Sequence, residues 1–204
     1  MKVLNLYSGV GGNRKFWEGH EITAVELNPR ISEIYQDFYP EDNVIVGDAH
    51  QYLLDNFKEY DFIWASPPCP THSRLRTMNK TIVYPDMGLY QEIILLKKWF
   101  KGGFVIENVI PYYDPLIEPD FEMARHYFWC NFEVTPRDFK KMKTCKIHNE
   151  REYLQKEFGF NLDKYSGIDK RKVLRNCVIP ELGKHILDCF INKDSLEFEQ
   201  LSLF

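Results

Sequence analysis

Short apolar runs alternate with longer amphipathic stretches over the first two thirds of the chain, and this alternation constrains the fold more than any other feature. The runs and stretches occupy, in chain order, residues 3–6, 21–25, 30–38, 44–46, 50–57, 61–65, 87–100 and 103–106. Each apolar run is followed closely by Gly, Pro or Asn, which is typical of βαβ units. The pattern therefore predicts an α/β fold, a mostly parallel twisted sheet with helices on both faces.

The remainder of the chain is less regular. The aromatic residues 127–134 predict a further strand, and 178–192, with Pro180 near the first turn, predict a closing helix. We expect four segments, which are a main domain over 1–136, a small basic and irregular insert over 137–170, a closing segment over 171–193 that returns to the main domain, and a tail over 194–204.

The charge balance excludes little by itself. With 26 Lys+Arg and 30 Asp+Glu the net charge is −4, which gives no general preference for nucleic acid. Residues 137–175, however, hold twelve Lys or Arg and six Asp or Glu. This local excess indicates either a solvated helical surface or a patch that faces phosphates, and charge alone leaves both interpretations open.

The cysteines and the hydropathy predict a compartment. Five widely spaced cysteines, an odd number, favour reduced thiols over a disulfide framework. No signal peptide is evident, and no apolar run approaches the ~18–20 residues of a membrane span. We expect a cytoplasmic protein with no membrane contact. Cys130, Cys145 and His148 fall short of a four-ligand zinc site, so no metal is predicted.

Special residues follow the first three predicted strands. Gly9, Gly11 and Gly12 follow the first, Glu26 follows the second and Asp48 the third. Ligands of open parallel sheets bind beyond the carboxyl ends of the strands, so these residues together predict a nucleoside-containing cofactor. The glycines fit neither the dinucleotide fingerprint nor a phosphate-binding loop. A nucleoside without a phosphate tail fits best, and S-adenosylmethionine is the usual one.

The fourth strand leads into Ser66-Pro67-Pro68-Cys69-Pro70. Prolines restrict the backbone, so Cys69 is a poor core position and a candidate nucleophile, although a buried small hydrophobe is the commonest role of a lone cysteine. Methyltransferases acting on exocyclic amines carry an aromatic residue after their two prolines. Cysteine at that position favours covalent attack, and Glu107 after the fifth strand can meet the thiol across the pocket.

Taken together, these motifs resemble the C5-specific DNA cytosine methyltransferase family. The matching segments, in the order of the family, are 7–12, Glu26, Asp48, Pro68-Cys69, 107–109 and the Asn-x-Val-x-Pro of 176–180. The resemblance implies a Rossmann-like SAM-dependent methyltransferase fold, S-adenosylmethionine as cofactor and duplex DNA as partner.

The resemblance also implies roles for individual residues. The cofactor would be bound by Tyr7, Gly9, Gly11, Gly12, Glu26, Leu27, Asp48, Ala49, Pro67, Asn176 and Val178. The substrate would be bound by Pro68, Ser73, Arg74, Arg76 and Asn108, and the catalytic residues would be Cys69, Glu107 and Arg125.

The implied mechanism begins with the target base leaving the duplex stack, which costs a few kcal/mol. Addition of the Cys69 thiolate to C6, with a proton from Glu107 to N3, would make C5 nucleophilic enough to accept a methyl group. Arg74, Arg76 and Arg125 are the nearby cations in sequence that could favour the thiolate. His72 is either a loop residue or a contact to the base or a phosphate.

Three departures from the family pattern matter. Pro70 stands where the family usually has Gln, and only Arg125 survives from a Gln-x-Arg-x-Arg motif. The segment between Arg125 and Asn176 is also too short for the family's separate target recognition domain. A small basic insert offers little surface for reading bases, so we expect a short or degenerate recognition sequence, or help from a partner.

The carboxyl-terminal residues carry a second resemblance. Gln200, Leu201, Leu203 and Phe204 resemble the short peptide by which bacterial DNA-processing proteins bind the replication sliding clamp. A frayed terminus or a tail folded onto its own core are the alternatives.

The sequence therefore predicts a DNA (cytosine-5)-methyltransferase. One alternative is C5 methylation of cytosine in structured, tRNA-like RNA, which depends on shape more than on base reading. Another is an inactive SAM-fold regulator that binds DNA, although an intact Cys69 and Glu107 disfavour it.

Overall fold

The structure is a computed structural model in which residues 1–74, 83–140 and 148–201 are described, with 193–201 described by their backbone alone. Arg76, Cys145, Leu203 and Phe204 lie outside the described residues. The side chains of Gln200 and Leu201 are also outside the description, so the clamp-binding peptide stays a prediction.

Seven strands and six α-helices make up the described chain. The strands are β1 Lys2–Leu6, β2 Glu21–Glu26, β3 Asn43–Val46, β4 Phe62–Ala65, β5 Gly103–Val109, β6 Phe121–Met123 and β7 His126–Cys130. The helices are α1 Pro29–Phe38, α2 Ala49–Asn56, α3 Gly88–Trp99, α4 Glu150–Phe158, α5 Lys170–Arg175 and α6 Pro180–Leu201. Short 3₁₀ helices cover Asn13–Phe16 and Phe57–Glu59.

The strands form one sheet in the order β3-β2-β1-β4-β5-β7-β6. Neighbours from β3 to β5 are parallel, whereas β7 is antiparallel to both β5 and β6. The strand order reverses between β1 and β4, and that crevice is where open α/β sheets bind ligands. The predicted Rossmann-like, mostly parallel sheet is confirmed.

Helices cover both faces of this sheet because successive strand residues point to opposite faces. Leu4 and Leu6 of β1 belong to a core cluster with residues of α2 and α3. Val3, one position away, belongs to a second cluster with Leu182 and Ile186 of α6. The near-continuous burial of β1, β4 and β5 follows from this two-sided cover.

Several elements differ from the expectations. The hairpin strand β6 was not predicted, since three residues carry too little periodicity. The strand predicted over 127–134 spans His126–Cys130. The insert predicted to be irregular contains α4, in which the buried Leu154 and Phe158 have helical spacing. The closing helix continues beyond 192 to Leu201.

Within the described part of the chain, no helix has both the length and the apolar character needed to cross a membrane.

Candidate active site

The turn after β1 contains the glycines predicted to approach a ligand. Tyr7, Gly9 and Gly11 have φ angles of 56°, 55° and 79°, the left-handed region that favours glycine. At Gly9 the space that a Cβ would fill is open, and its N–H donates to Glu26 Oε2 at 3.1 Å. Gly9 therefore leaves room for a ligand beside the Glu26 carboxylate.

Gly11 and Gly12 instead allow other parts of the protein to approach. A Cβ at Gly11 would collide with the ring of Tyr39, whose hydroxyl donates to Gly11 O at 2.8 Å. A Cβ at Gly12 would stand 2.6 Å from Val178 O. Val178 thus packs against the glycine turn, and this contact joins the predicted final motif to the first one.

The residues after β2 and β3 lie at the same edge of the sheet. Glu26 Oε1 accepts a hydrogen bond from Asn28 N at 2.9 Å, and Leu27 is 71% exposed. Asp48 caps α2, since its Oδ1 accepts hydrogen bonds from His50 N at 2.9 Å and Gln51 N at 3.2 Å. Ala49 is buried at the start of α2.

A buried carboxylate that the sequence did not predict fixes Tyr7. The Tyr7 hydroxyl donates to Glu92 Oε1 at 2.5 Å, and His50 Nδ1 lies 2.8 Å from the same oxygen. Burial and the Glu92 carboxylate raise the pKa of Tyr7, so its hydroxyl stays protonated. The hydrogen bond to Glu92 raises the pKa of His50. No sequence signal links these residues, because they come from three separate elements.

The loop after β4 presents Cys69, which is partly exposed. Cys69 O accepts hydrogen bonds from His72 N and Ser73 N, both at 3.0 Å, so the loop turns tightly after the cysteine. Asn108 Nδ2 donates to Pro67 O at 3.0 Å, while Asn108 itself is 2% exposed. Asn108, predicted to bind substrate, here positions the cysteine loop from the end of β5.

The residues that follow Cys69 pack against the segment after β5. His72 is 1% exposed and its Nδ1 lies 2.5 Å from Tyr113 Oη, which supports the loop interpretation of this histidine. Ser73 forms a bridge with Pro111, and Arg74 Nε donates to Pro111 O at 3.3 Å. Pro68 is exposed at the surface of this loop.

The electrostatics of Cys69 involve an acid and an unexpected lysine. Burial raises the pKa of the thiol, the Glu107 carboxylate raises it further, and Lys172 lowers it. Lys172 is on α5, remote in sequence from the predicted cations, and no local pattern could have identified it.

Glu107, on the strand next to β4, is 8% exposed. Its Oε1 lies 3.4 Å from His126 Nε2. Arg125 precedes β7 with a φ of 71°, a strained conformation for a residue with a side chain. Arg125 and Glu107 line one cavity of about 60 Å³. The basic residues His126, Lys140 and Arg175 also line it, as does Val178 of the predicted final motif.

This arrangement joins a thiol, an acid and a glycine turn at the carboxyl ends of parallel strands. Residues 1–114, more than half of the chain, match the family described as C-5 cytosine-specific DNA methylase. The chain belongs to this family.

The curated relatives of this chain are longer proteins. A tRNA (cytosine(38)-C(5))-methyltransferase from Spodoptera frugiperda is 32% identical over 80 residues, which cover 36% of this chain and 24% of the relative. The type II methyltransferase M1.HphI from Haemophilus parahaemolyticus is 25% identical over 120 residues, 53% of this chain and 32% of the relative. The matches thus span about a quarter to a third of the relatives' length.

Solved structures of methyltransferases also match the methylase chain. DNMT2 from Spodoptera frugiperda has 28% identity and a TM-score of 0.40, covering 53% of this chain and 35% of that one. The Entamoeba histolytica methyltransferase EhMeth has 18% identity and a TM-score of 0.38, covering 53% and 38%.

The cofactor of this family is S-adenosylmethionine, and the residues present fit it. Ser8 Oγ is buried without a hydrogen-bond partner among the described residues, so a ligand group could satisfy it. The open space beside Gly9 and the exposed Leu27 next to Glu26 suit a backbone contact and an apolar ring beside a ribose-binding acid. Asn176, also predicted here, is exposed at the end of α5, where its N–H donates to Lys172 O at 3.1 Å.

Part of the basic segment over 137–175 is paired with acids of the same chain. Four cations form ion pairs with acids of the same chain, namely Lys140 with Glu157, Arg151 with Asp163, Lys164 with Asp37 and Arg175 with Glu150. These pairs favour the solvated-surface interpretation for the four residues. Lys172 differs from them, because its charge lowers the pKa of Cys69.

Proposed function

We propose that this chain transfers a methyl group from S-adenosylmethionine to C5 of a cytosine in duplex DNA. The observation that carries the proposal is that Cys69, in the loop after β4, lies close enough to Glu107 on the neighbouring strand β5 for the acid to raise the pKa of the thiol. Membership of the C-5 cytosine methylase family supports the same reaction.

Each residue has a defined task in this proposal. Cys69 sulfur bonds to C6 of the ring while Glu107 gives its proton to N3, which turns the C5–C6 bond into a nucleophilic enamine. S-adenosylmethionine supplies the methyl group that C5 accepts. Loss of the C5 proton and departure of Cys69 then restore the aromatic ring. Arg125, which lines a cavity together with Glu107, would contact the base beside that acid.

The test is mass spectrometry of DNA incubated with S-adenosylmethionine and purified protein. We expect 5-methylcytosine with the wild type and none with Cys69→Ser. Cys189→Ser is the matched control, because Cys189 is a partly exposed cysteine of α6 beside Thr135 and His185. Methylation on the exocyclic amine, or full activity of Cys69→Ser, would overturn the proposal.

A cytosine in tRNA is the second candidate substrate. The relative from Spodoptera frugiperda is named a tRNA (cytosine(38)-C(5))-methyltransferase, and it is 32% identical to this chain over 80 residues. Methyl transfer measured with duplex DNA and tRNA in competition separates the two. Preferential labelling of DNA supports the first candidate, and preferential labelling of tRNA supports the second.

We also propose that the enzyme reads a short or degenerate sequence, because the insert contributes one short helix, α4, and several of its cations are paired with acids of the chain. Sequencing the methylated positions in a host that expresses only this methylase tests the idea. A strict six-base motif would contradict it.

A further inference from the structure

A histidine on the neighbouring strand contacts Glu107. His126 Nε2 lies 3.4 Å from Glu107 Oε1, and the two side chains are 36% and 11% exposed. The pair lies in the cavity that Arg125 also lines. Nothing in the sequence motifs assigns a role to His126.

The antiparallel pairing of β5 and β7 brings the two residues together. Glu107 is directly opposite Phe128, and His126 is two positions before Phe128, so it points to the same face. Diagonal neighbours of this kind lie within reach of long side chains. The left-handed residues Ala124 and Arg125 turn the hairpin tightly, so that β7 begins at His126.

Two other cations of the cavity, Arg175 and Lys140, contact acids other than Glu107. Arg175 Nε and Nη2 donate to the two oxygens of Glu150 at 2.8 and 2.7 Å. Lys140 Nζ donates to Glu157 at 2.7 Å.

We propose that His126 is a positioning residue for Glu107 in methyl transfer. In this role its Nε2–H, which lies 3.4 Å from Oε1 in the structure, closes to a hydrogen bond with Oε1 and holds the carboxyl group so that Oε2 faces the base. When the Glu107 proton moves to N3, the carboxylate that remains is stabilised by this charge-assisted hydrogen bond. The proton returns from N3 as the Cys69 sulfur leaves C6. The inference rests on the proposed function of Glu107.

The experiment compares His126→Gln with His126→Leu. Glutamine keeps an N–H donor near the position of Nε2, whereas leucine fills similar space without a donor. We expect kcat of His126→Leu to fall about 10-fold or more, within the range of losses in acid–base catalysis, with KM for S-adenosylmethionine changed less than about twofold. His126→Gln should recover most of kcat.

Two controls separate positioning from folding. His185→Gln alters a second partly exposed histidine, which lies on α6 and whose Nε2 is 2.8 Å from Thr135 O. This variant should keep wild-type kinetics. If His126→Leu unfolds, His126→Asn replaces it, since the shorter amide keeps polarity but does not reach Glu107, and kcat should fall as for leucine.

Wild-type kcat in His126→Leu or His126→Asn, or equal losses in the Gln and Leu variants, would overturn the inference while leaving the proposed function intact. A wild-type protein that methylates neither duplex DNA nor tRNA would overturn the proposed function and this inference together.

Discussion

Cys69 combines partial exposure with an environment that disfavours its thiolate. Burial and the Glu107 carboxylate raise its pKa, and Lys172 opposes them. Near neutral pH the free protein therefore holds Cys69 largely as a thiol, and its proton has to leave as the sulfur approaches the base. Protonation of Glu107, which the proposed mechanism needs before the acid can give a proton to N3, would remove one of the two causes of the raised pKa.

We predict that the pH dependence of Cys69 alkylation reports these two charges. Half-maximal modification by iodoacetamide should occur above the ~8.5 of a free cysteine, since burial disfavours the thiolate. Glu107→Gln should move the midpoint to lower pH, and Lys172→Gln should move it to higher pH. Peptide mass spectrometry measures this, with Cys189 in the same digest as the internal reference. Shifts of the opposite sign would contradict the assignment.

Asn108, at the end of β5, holds the cysteine loop through its hydrogen bond to Pro67 O. We predict that Asn108→Ala lowers the free energy of unfolding by about 1–3 kcal/mol, because the buried Pro67 O loses its hydrogen-bond donor. Urea denaturation measures the change. A loss under about 0.5 kcal/mol would mean that water replaces the amide.

The 3₁₀ helix that follows the glycine turn packs directly against the closing helix α6. Gly183 of α6 lies against the 3₁₀ helix Asn13–Phe16, and Trp17 Nε1 donates to Gly183 O at 3.1 Å. The helix that ends the chain therefore fixes the loop that follows β1. Glycine is required because the backbones approach too closely for a side chain.

We predict that Gly183→Ala destabilises the protein although alanine is the better helix former. A Cβ at Gly183 would stand 2.6 Å from Asn13 Cα. Overpacking costs about 1–3 kcal/mol, whereas the gain in helix propensity is at most about 1 kcal/mol, so a net loss of about 1–2 kcal/mol is expected.

Thermal and urea unfolding of Gly183→Ala measure this loss. Gly47→Ala is the control, because the nearest atom to its Cβ would be Ile45 Cγ2 at an ordinary 3.9 Å. Equal stability of the two variants would show that α6 shifts away from the 3₁₀ helix at little cost.

At the scale of the whole molecule, the basic insert is part of the core. Leu154, Phe158 and Leu174 of α4 and α5 share a buried cluster with Val10 of the glycine turn and Ile34 of α1. Lys15 Nζ also donates to Phe158 O. The segments defined by sequence as main domain and insert therefore stabilise each other.

We predict that Phe158→Ala destabilises the entire fold by about 3–5 kcal/mol, since Phe158 is 3% exposed. Trp17, Trp64 and Trp129 belong to the other two core clusters, so their fluorescence reports unfolding away from α4. The tryptophan transition should shift in full. The exposed Lys156 of the same helix provides the control, and Lys156→Ala should leave the transition in place. An unshifted transition in Phe158→Ala would show that the insert unfolds by itself.

The sequence by itself determined the order of the first five strands and the first three helices, the glycine turn and the cysteine loop. These features depend on neighbouring residues, since hydrophobic periodicity and the backbone preferences of Gly and Pro act locally. The parallel sheet then follows from chain order, which explains why Cys69 and Glu107 could be expected on adjacent strand ends.

Only the tertiary structure decided which side chains surround those residues. The contact of Glu107 with His126, the influence of Lys172 on Cys69 and the burial of Glu92 between Tyr7 and His50 join elements far apart in the chain. Each depends on strand register or helix packing, which single-residue patterns do not encode. Distances of a few ångströms set these hydrogen bonds and pKa shifts, and the sequence carries that geometry only after the chain has packed.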